Sequence, residues 1–264
     1  MSKALILPPL AIAGAAASST ATGYSAAYVA NDYAGVVWQS NGDASPWLRI
    51  DLGADVSVDT IALFGLVGIS AGSTLRIDAA TAAQGSGFGA GAFVNVVAPG
   101  TIVLAGTAAT TGGRGIGLFP FAAVTCRYLL ITFAAVATSI QVARAVVGRR
   151  FTPERNFAYG GGPGVRDLGS LDFNRRGVLN RVRGARLRTV QLTFSNLRRD
   201  EVEATVRPLL EALGSTEMLG LFTDPASDAQ RMNRAYFGPL VGDLSIIQRN
   251  ALAFEAKINV VSIF

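Results

Sequence analysis

The feature that most constrains the fold is a series of short alternating segments in the first half of the chain. Residues 47–53 alternate apolar and polar side chains and end at Gly53, and similar segments follow over residues 58–64, 75–79, 93–97, 128–133 and 140–147. No window of ten residues between 57 and 147 has the spacing of an amphipathic helix. Alternation with a period of two buries one face of each strand. The pattern therefore predicts an antiparallel β-sandwich.

The residue types that the chain lacks exclude several classes of enzyme. The 264 residues include no histidine and one cysteine, Cys126. Ser-His-Asp triads, Cys-His pairs, histidine metal sites and disulfides within the chain are thereby excluded. The two lysines, Lys3 and Lys257, do not stand in the Gly-Lys-Ser/Thr context of a Walker phosphate loop. Glycine-rich segments at 85–91 and 112–117 lack a following helical pattern, so we interpret them as hairpin tips.

Charge divides the chain near Gly148. Residues 1–148 carry six basic and six acidic side chains, while residues 149–264 carry 17 and 12, so the whole net charge of +5 lies in the second part. A shift of this kind marks a domain boundary. We predict an N-terminal strand within residues 1–13 that joins the second domain, a β-sandwich over 14–148 and an assembly domain over 149–264.

Two apolar stretches are candidates for targeting or membrane segments. Residues 4–10 are interrupted by Pro8 and Pro9 and are preceded by a single lysine, which is a weak match to a secretory signal. Residues 128–147 contain polar side chains and many β-branched ones, which indicates two strands rather than a bilayer-spanning helix. We expect a soluble protein that does not insert into a membrane.

Several segments of the first half resemble discoidin, or coagulation-factor type C, domains. They are Asn31-Asp32 with residues 37–40, the WLRIDLG segment at 47–53, residues 58–65, the RYLLI segment at 127–131 and residues 140–148. Such domains are galactose-binding-like jelly-roll β-sandwiches, and the resemblance covers residues 20–148. The cysteine pair that clamps secreted members is absent, which favours a relative made inside a cell.

This resemblance implies a module that binds sugars through aromatic and polar side chains in its loops. Trp38 and Trp47 lie beside core strands in the family pattern, so we expect them to be buried. Family members often hold a structural calcium ion, for which Asp32 and Asp43 are the candidate ligands, although an Asx turn explains both equally well. We expect no other cofactor. The candidate sugar-binding residues are Tyr24, Tyr28, Tyr33 and Phe88.

An arginine-rich loop is the most basic part of the chain. Residues 149–188 are loop-like, and residues 175–188 hold six arginines and no acidic residue. Because the loop lacks interleaved aromatic residues and a groove-reading element, we favour contacts between subunits over nucleic-acid binding. Arginine forks pair well with the carboxylates of a neighbour. The candidate interface residues are Arg175, Arg176, Arg181, Arg183, Arg186 and Arg188.

One amphipathic helix follows this loop, because the apolar side chains between Val202 and Leu213 form a single stripe. We expect Ser195 or Asn196 to cap its start, Pro208 to kink it and Gly214 to end it. Alternating segments predict strands over residues 187–194, 218–222, 235–237, 244–247 and 252–260. In the last of these strands we expect one buried face and one polar face. The buried face holds Leu252, Phe254, Ala256, Ile258 and Val260, and the polar face holds Glu255, Lys257 and Asn259.

A helix packed on a β-sandwich, entered by Phe-Thr-Pro-Glu-Arg-Asn at residues 151–156, is similar to the tail-tube and distal-tail proteins of long-tailed bacteriophages. The resemblance implies a structural protein of the tail tip of a phage or phage-like particle. It implies a homo-oligomeric ring, hexameric rather than trimeric, that contacts tail-tube and baseplate-hub proteins in the virion tail after synthesis in the host cytoplasm. The sugar-binding-like module then faces outward and assists attachment to host-surface glycans.

Two other functions remain open at this point. The alternative is a free carbohydrate-binding, lectin-like protein, exported or not. A glycosidase is the third hypothesis, although no pair of acidic residues stands out. Because the chain has no recognisable nucleophile–base pair, we expect no enzyme activity.

Overall fold

A computed structural model describes residues 2–70, 72–89, 91–102, 115–136, 138–228, 230–242, 245–250 and 253–264. The chain is mainly β and contains a jelly-roll β-sandwich, which confirms the predicted fold class. It divides into two compact units. Unit 1 covers Met1–Thr152 and Phe222–Ala235, and unit 2 covers Pro153–Leu221 and Tyr236–Phe264. The predicted domain limits, and the assignment of residues 1–13 to the second domain, stay predictions.

The described part of unit 1 has nine strands, numbered in chain order. They are β1 (Leu5–Leu7), β2 (Gly14–Ala17), β3 (Trp38–Gln39), β4 (Trp47–Leu66), β5 (Thr74–Ala80), β6 (Val94–Thr101), β7 (Gly115–Ala134), β8 (Gln141–Val142) and β9 (Arg144–Gly148). A 3₁₀-helix over Ala26–Ala30 precedes β3. The largest sheet has the order β2-β4-β7-β5-β6, with β9 paired to β4, while β3 and β8 form a separate ladder.

Two strands of 20 residues give unit 1 its sandwich. β4 and β7 are antiparallel over their length, with register shifts after Asp51 and after Val58. At the first shift Gly53 has a φ of +81°, and its amide donates to the Asp51 carboxylate at 2.7 Å. Such irregularities let a strand change direction. The first part of β4 therefore pairs with β2 and the second part with β9.

The core of unit 1 fills alternate positions in the first part of β4 and the last part of β7, as the sequence predicts, whereas residues 58–66 of β4 are buried at every position. Trp38 is fully buried, and its Nε1 donates to the carbonyl of Ser19 at 3.1 Å. The expected burial of Trp38 is thereby confirmed, whereas Trp47 is only half-buried. The fully buried side chains on β4 and β7 include Leu48, Ile50, Leu129, Ile131 and Phe133.

The second half of the chain contributes eight strands among the described residues. They are β10 (Gly162–Asp167), β11 (Ser170–Phe173), β12 (Leu179–Val182), β13 (Arg186–Leu197), β14 (Met218–Phe222), β15 (Ala235–Pro239), β16 (Ile246–Gln248) and β17 (Phe254–Ser262). One sheet has the order β10-β13-β17-β16, β11 pairs with β12, and β14 lies beside β15. The strands predicted over 187–194, 218–222 and 235–237 are confirmed within a few residues.

The segment 149–188 is not the loop that the sequence predicts. β10 pairs with the first residues of β13, and β11 and β12 form a hairpin beyond them. We call residues 162–188 the arm. Both faces of the ladders in the arm are exposed at almost every residue. The arm therefore lacks the alternation of buried apolar and exposed polar residues from which strands are predicted.

The predicted helix is present over residues 199–213. A π-helical turn, Val202–Val206, separates α-helical Arg199–Glu201 from α-helical Arg207–Leu213. Pro208 is the second residue after this turn, at the start of the last α-helical part, where its missing amide donor is accommodated. Gly214, with a φ of +52°, ends the helix as predicted.

The predicted N-terminal cap of this helix is wrong. Ser195 and Asn196 belong to β13, and the helix begins at Arg199. The Glu201 carboxylate instead accepts hydrogen bonds from the amides of Arg198 and Glu154, at 3.1 and 2.7 Å. Glu201 thus takes the place of the acidic residue of a capping box, where it accepts from the amide of the residue before the helix.

The last strand, β17, buries Ala256, Ile258 and Val260 as predicted. Glu255 departs from its predicted place on the polar face, because it is buried and accepts from Arg249 Nε at 2.8 Å. Leu252 and Leu244, also assigned to strands from the sequence, lie outside the described residues. Among the residues that are described, no helix is long and apolar enough to cross a bilayer.

Candidate functional site

The outer face of the large sheet in unit 1 carries polar and aromatic side chains in register. Residues one position away on each strand point into the core, so the period of two places these side chains on the solvent side. Antiparallel pairing aligns Gly14, Asp51, Tyr128 and Ala80 in one row, and Ala16, Arg49, Leu130 and Asp78 in the next.

A groove of about 270 Å³ lies on this face. Gly14 and Ala16 of β2 leave a floor without large side chains, beside the longer side chains of β4 and β7. We call it the sheet groove. Its lining residues are Gly14, Ala15, Ala16, Arg49, Asp51, Ser86 and Tyr128.

Arg127 fixes one wall of the sheet groove. Its Nε donates to Asp51 Oδ1 at 2.8 Å, and its second terminal nitrogen donates to Oδ2 at 3.1 Å. The guanidinium carbon lies 4.9 Å from the centroid of the Tyr128 ring. The hydrogen bond from Arg127 is the main reason that the pKa of Asp51 is lowered, against a smaller opposing effect of burial. Asp51 is therefore an ionised acceptor at neutral pH.

Arg49 forms another wall. Its terminal nitrogen donates to the Ser86 carbonyl at 2.8 Å and so ties the loop between β5 and β6 to the sheet. A guanidinium has five N–H donors, and Ser86 is the hydrogen-bond partner of Arg49 within the described part of the chain. Free donors, an ionised acceptor and an aromatic ring thus surround one groove. This set suits a ligand whose hydroxyl groups both donate and accept.

The predicted sugar-binding aromatic residues lie in two places. Tyr24, Tyr28 and Tyr33 lie between β2 and β3, on the segment that contains the 3₁₀-helix. Tyr33 is 74% exposed and Tyr24 40% exposed. Phe88 lies in the loop that supplies Ser86, where its ring centroid is 6.0 Å from that of Phe93. The structure therefore groups the three tyrosines on one segment and places Phe88 on the loop of the sheet groove.

Both predicted calcium ligands have protein partners. Asp32 Oδ1 lies 3.0 Å from Nε of the buried Arg144. Burial lowers the pKa of Arg144, and the charge of Asp32 offsets part of this effect. Asp43 accepts hydrogen bonds from the hydroxyl groups of Ser18 and Ser19. Where the structure describes the chain, no group of three His, Cys, Asp or Glu residues could hold a metal ion. Asp32 and Asp43 thus make contacts that hold the segment between β2 and β3, which carries Tyr24, Tyr28 and Tyr33 and which we call the tyrosine segment. The calcium site stays a prediction.

The predicted interface arginines all lie on the arm. Arg186 pairs with Asp167 at 3.4 Å, and Arg188 lies over the ring of Tyr236 with its guanidinium carbon 4.7 Å from the centroid. Arg175, Arg181 and Arg183 form no ion pair with another described residue. Arg176 lies between Arg175 and Gly177 in the exposed turn of the hairpin.

Sequence reasoning missed Arg49, Asp51 and Tyr128 as site residues. All three alternate with core residues, and this alternation already predicts that they face outward. The groove itself depends on Gly14 pairing with Asp51, and Ala16 with Arg49. Nothing in the sequence fixes that register.

Comparison with known proteins gives distant structural similarities. No protein-family model and no curated protein matches the chain. Chitosan-binding module 1 of a chitosanase/glucanase from Paenibacillus sp. IK-5 is 21% identical, over 53% of this chain and 97% of that module, with a TM-score of 0.41. The family 32 carbohydrate-binding module from C. perfringens NanJ, solved with galactose, is 18% identical over 56% and 99%, with a TM-score of 0.41. Similarity at this level carries no argument about what this chain binds.

Proposed function

We propose that unit 1 is a carbohydrate-binding module and that the sheet groove holds the sugar. The observation that carries the proposal is the convergence of Arg49, ionised Asp51 and the Tyr128 ring around a floor of small residues. Sugar hydroxyl groups donate and accept hydrogen bonds, and the apolar face of a sugar ring packs on an aromatic ring. The resemblance of residues 20–148 to discoidin domains supports the same class of ligand.

The proposed activity is lectin-like binding without turnover. Glycoside hydrolysis generally uses two carboxyl groups, one of which is protonated and has a raised pKa. Asp51 is the carboxyl group among the residues that line the sheet groove. Its pKa is lowered by the hydrogen bond from Arg127, so it is poorly suited to donate a proton at neutral pH.

A glycan array on the full chain, followed by calorimetry with the best ligand, tests this proposal. Arg49→Gln removes the charged donors, and Tyr128→Ala removes the ring. We expect each to weaken binding at least about tenfold, roughly 1.4 kcal/mol. Gly14→Val should also weaken binding, because a side chain at this open position projects into the floor. Arg149→Gln, at an exposed arginine of the same unit, is the matched control and should bind normally.

The outcomes distinguish whether the chain binds sugar from where on unit 1 it binds it. If Tyr24→Ala/Tyr33→Ala abolishes binding while Arg49→Gln does not, the sugar site is the tyrosine segment and the groove assignment is wrong. If the wild-type chain binds no glycan on the array or in calorimetry, the proposed function itself is overturned.

A structural role in a phage tail tip is the second candidate, and the exposed arm is the observation that favours it. In this role unit 2 joins copies of the chain into a ring of six that contacts tail-tube and baseplate-hub proteins. Unit 1 then binds host-surface glycans from the virion tail. Electron microscopy of the purified protein should show closed rings, or decoration of tail particles. A chain that binds glycans but forms no ring and decorates no particle would instead be the free lectin-like protein.

A further inference from the structure

The arm carries an apolar face that is exposed among the described residues. In the β11–β12 hairpin, Leu171 pairs with Arg181 and Phe173 pairs with Leu179, so these side chains share one face. Leu171, Phe173 and Leu179 are 64%, 63% and 49% exposed. An isolated two-stranded hairpin is marginally stable in water, and contiguous exposed apolar side chains mark interaction sites.

The arm has a defined shape in spite of this exposure. Gly169 and Gly184 face each other where β10 and β13 meet the hairpin, and a Cβ on Gly184 would lie 2.3 Å from the Gly169 nitrogen. At the tip, Asn174 Oδ1 accepts from the amides of Arg176 and Val178 at 2.9 and 3.0 Å. The hairpin backbone is therefore held at both ends while its apolar face stays exposed.

The charge of the arm restricts that partner. Residues 163–188 contain seven arginines against Asp167 and Asp172, which gives a net charge of +5. Arg181 lies on the apolar face itself and has no ion-pair partner among the described residues. A complementary surface therefore combines apolar side chains with carboxylates.

Unit 2 has such a surface between its helix and strands β16 and β17. A groove of about 370 Å³ is lined by Val202, Leu210, Ile246 and Phe254, and bordered by Glu203, Arg207 and Glu211. We call it the helix groove. The surrounding residues 199–217 contain five acidic residues and two arginines, for a net charge of −3. Glu203 and Glu211 pair with Arg207 at 3.6 and 3.1 Å and are more than half exposed.

We propose that the apolar face of the β11–β12 hairpin docks into the helix groove of a second copy of this chain. Phe173 and Leu171 pack against the apolar lining, and Arg181 pairs with Glu211. Two different surfaces of the chain meet, so the contact is head-to-tail and closes into a ring or extends into a filament. The proposal goes beyond carbohydrate binding and does not depend on it.

Charge reversal with rescue tests the contact on the full chain. In sedimentation velocity at tens of micromolar protein and low salt, we expect wild type to associate. Arg181→Glu and Glu211→Arg should each weaken association at least about tenfold, because like charges then face each other. The double variant Arg181→Glu/Glu211→Arg should associate again. Arg149→Glu, an exposed reversal in unit 1, is the control and should behave as wild type.

A cross-linking experiment tests the same contact by proximity. Cys126 is fully buried, and burial raises the pKa of its thiol to about 12, so it does not compete with introduced cysteines. A mixture of the Phe173→Cys and Arg207→Cys chains should form an intermolecular disulfide. Val94→Cys, at an exposed apolar position outside the arm, replaces Phe173→Cys in the control mixture and should give much less.

Three results would overturn the proposal. The first is a wild-type chain that stays monomeric at low salt. The second is a double variant that does not recover association. The third is association that persists in Phe173→Ser as strongly as in the control Val94→Ser. A selective disulfide together with charge rescue supports it.

Discussion

Arginines in unit 1 and arginines in the arm are used in opposite ways. In unit 1, several arginines are paired with acidic side chains of the same unit: Arg76 with Asp78, Arg127 with Asp51 and Arg144 with Asp32. In the arm, Arg175, Arg181 and Arg183 have no ion-pair partner among the described residues, although the arm is the more arginine-rich region. The presence of a nearby carboxylate, rather than the number of arginines in a region, decides whether an arginine pairs within its own unit or stays available to pair with another molecule.

Aromatic side chains show the same contrast. Phe133 on β7 is fully buried, and its ring centroid lies 6.5 Å from that of Trp38. Phe173 on β11 is 63% exposed. Both lie on strands with a hydrogen-bonded partner, so strand formation alone does not place a residue in a core. The comparison is therefore testable by the same substitution in both regions.

The largest effect should come from the paired substitutions Phe133→Ala and Phe173→Ala. Phe133→Ala leaves a cavity in the core of unit 1 and should cost about 3–5 kcal/mol of unfolding free energy. Phe173→Ala removes an exposed side chain and should change stability by less than about 0.5 kcal/mol. Urea denaturation measures unit 1 by tryptophan fluorescence, since Trp38 and Trp47 both lie there, and calorimetry reports unit 2.

These measurements are made on chains that do not associate, for example in the Arg181→Glu background. If Phe173→Ala destabilised unit 2 there by several kcal/mol, the arm would be part of the folded core. The contrast between the two regions would then be wrong.

The next effect should come from removing one carboxylate in each region. Asp32→Ala leaves the buried Arg144 guanidinium without its ion-pair partner and should destabilise unit 1 by roughly 1–3 kcal/mol. Asp167→Asn in the arm breaks the ion pair between two exposed side chains but keeps Oδ1 as the acceptor of the Gly169 amide, so it should give no measurable change. Equal losses of stability in the two variants would show that burial of the arginine does not set the difference.

The parts of the fold that the sequence predicts are those with a buried face. The core strands of unit 1, the helix stripe and β17 follow from apolar periodicity, because burial imposes that periodicity. The strands of the arm do not, because β10–β12 are exposed and contain Gly164 and Pro163, which are poor strand residues. Alternation places Glu255 on the polar face, but the structure buries its side chain against the exposed Arg249, which follows β16. Alternation along one strand does not reveal such a partner.

The candidate site was predicted less well than the fold. Its aromatic candidates are loop residues, and three of them lie together between β2 and β3. The sheet groove instead depends on the pairing of β2 with β4, where two small residues lie opposite Asp51 and Arg49. A single sequence specifies which residues face outward, but it does not specify which outward residues become neighbours across strands.

The smallest effect should be the pH dependence of one ion pair in each region. The pKa of Asp51 is lowered, mainly by the hydrogen bond from Arg127. A carboxyl group with a lowered folded-state pKa contributes stability above its unfolded pKa and loses it as the pH falls through the folded pKa. Wild type and Arg127→Gln should therefore differ most in stability near pH 7. The difference should begin to fall near the ordinary aspartate pKa of about 4 and be lost as the pH drops through the lowered pKa of folded Asp51.

The arm gives the matched case. The pKa of Asp167 is also lowered, but the amide of Gly169 is the larger cause and Arg186 the smaller. Because Arg186→Gln leaves that amide in place, its stability difference from wild type should vary less with pH than that of Arg127→Gln. Urea titrations between pH 2.5 and 7 measure both, with NMR titration of the two carboxyl groups as the direct check. A pH dependence in Arg186→Gln as large as in Arg127→Gln would mean that arm arginines brace their own chain as those of unit 1 do.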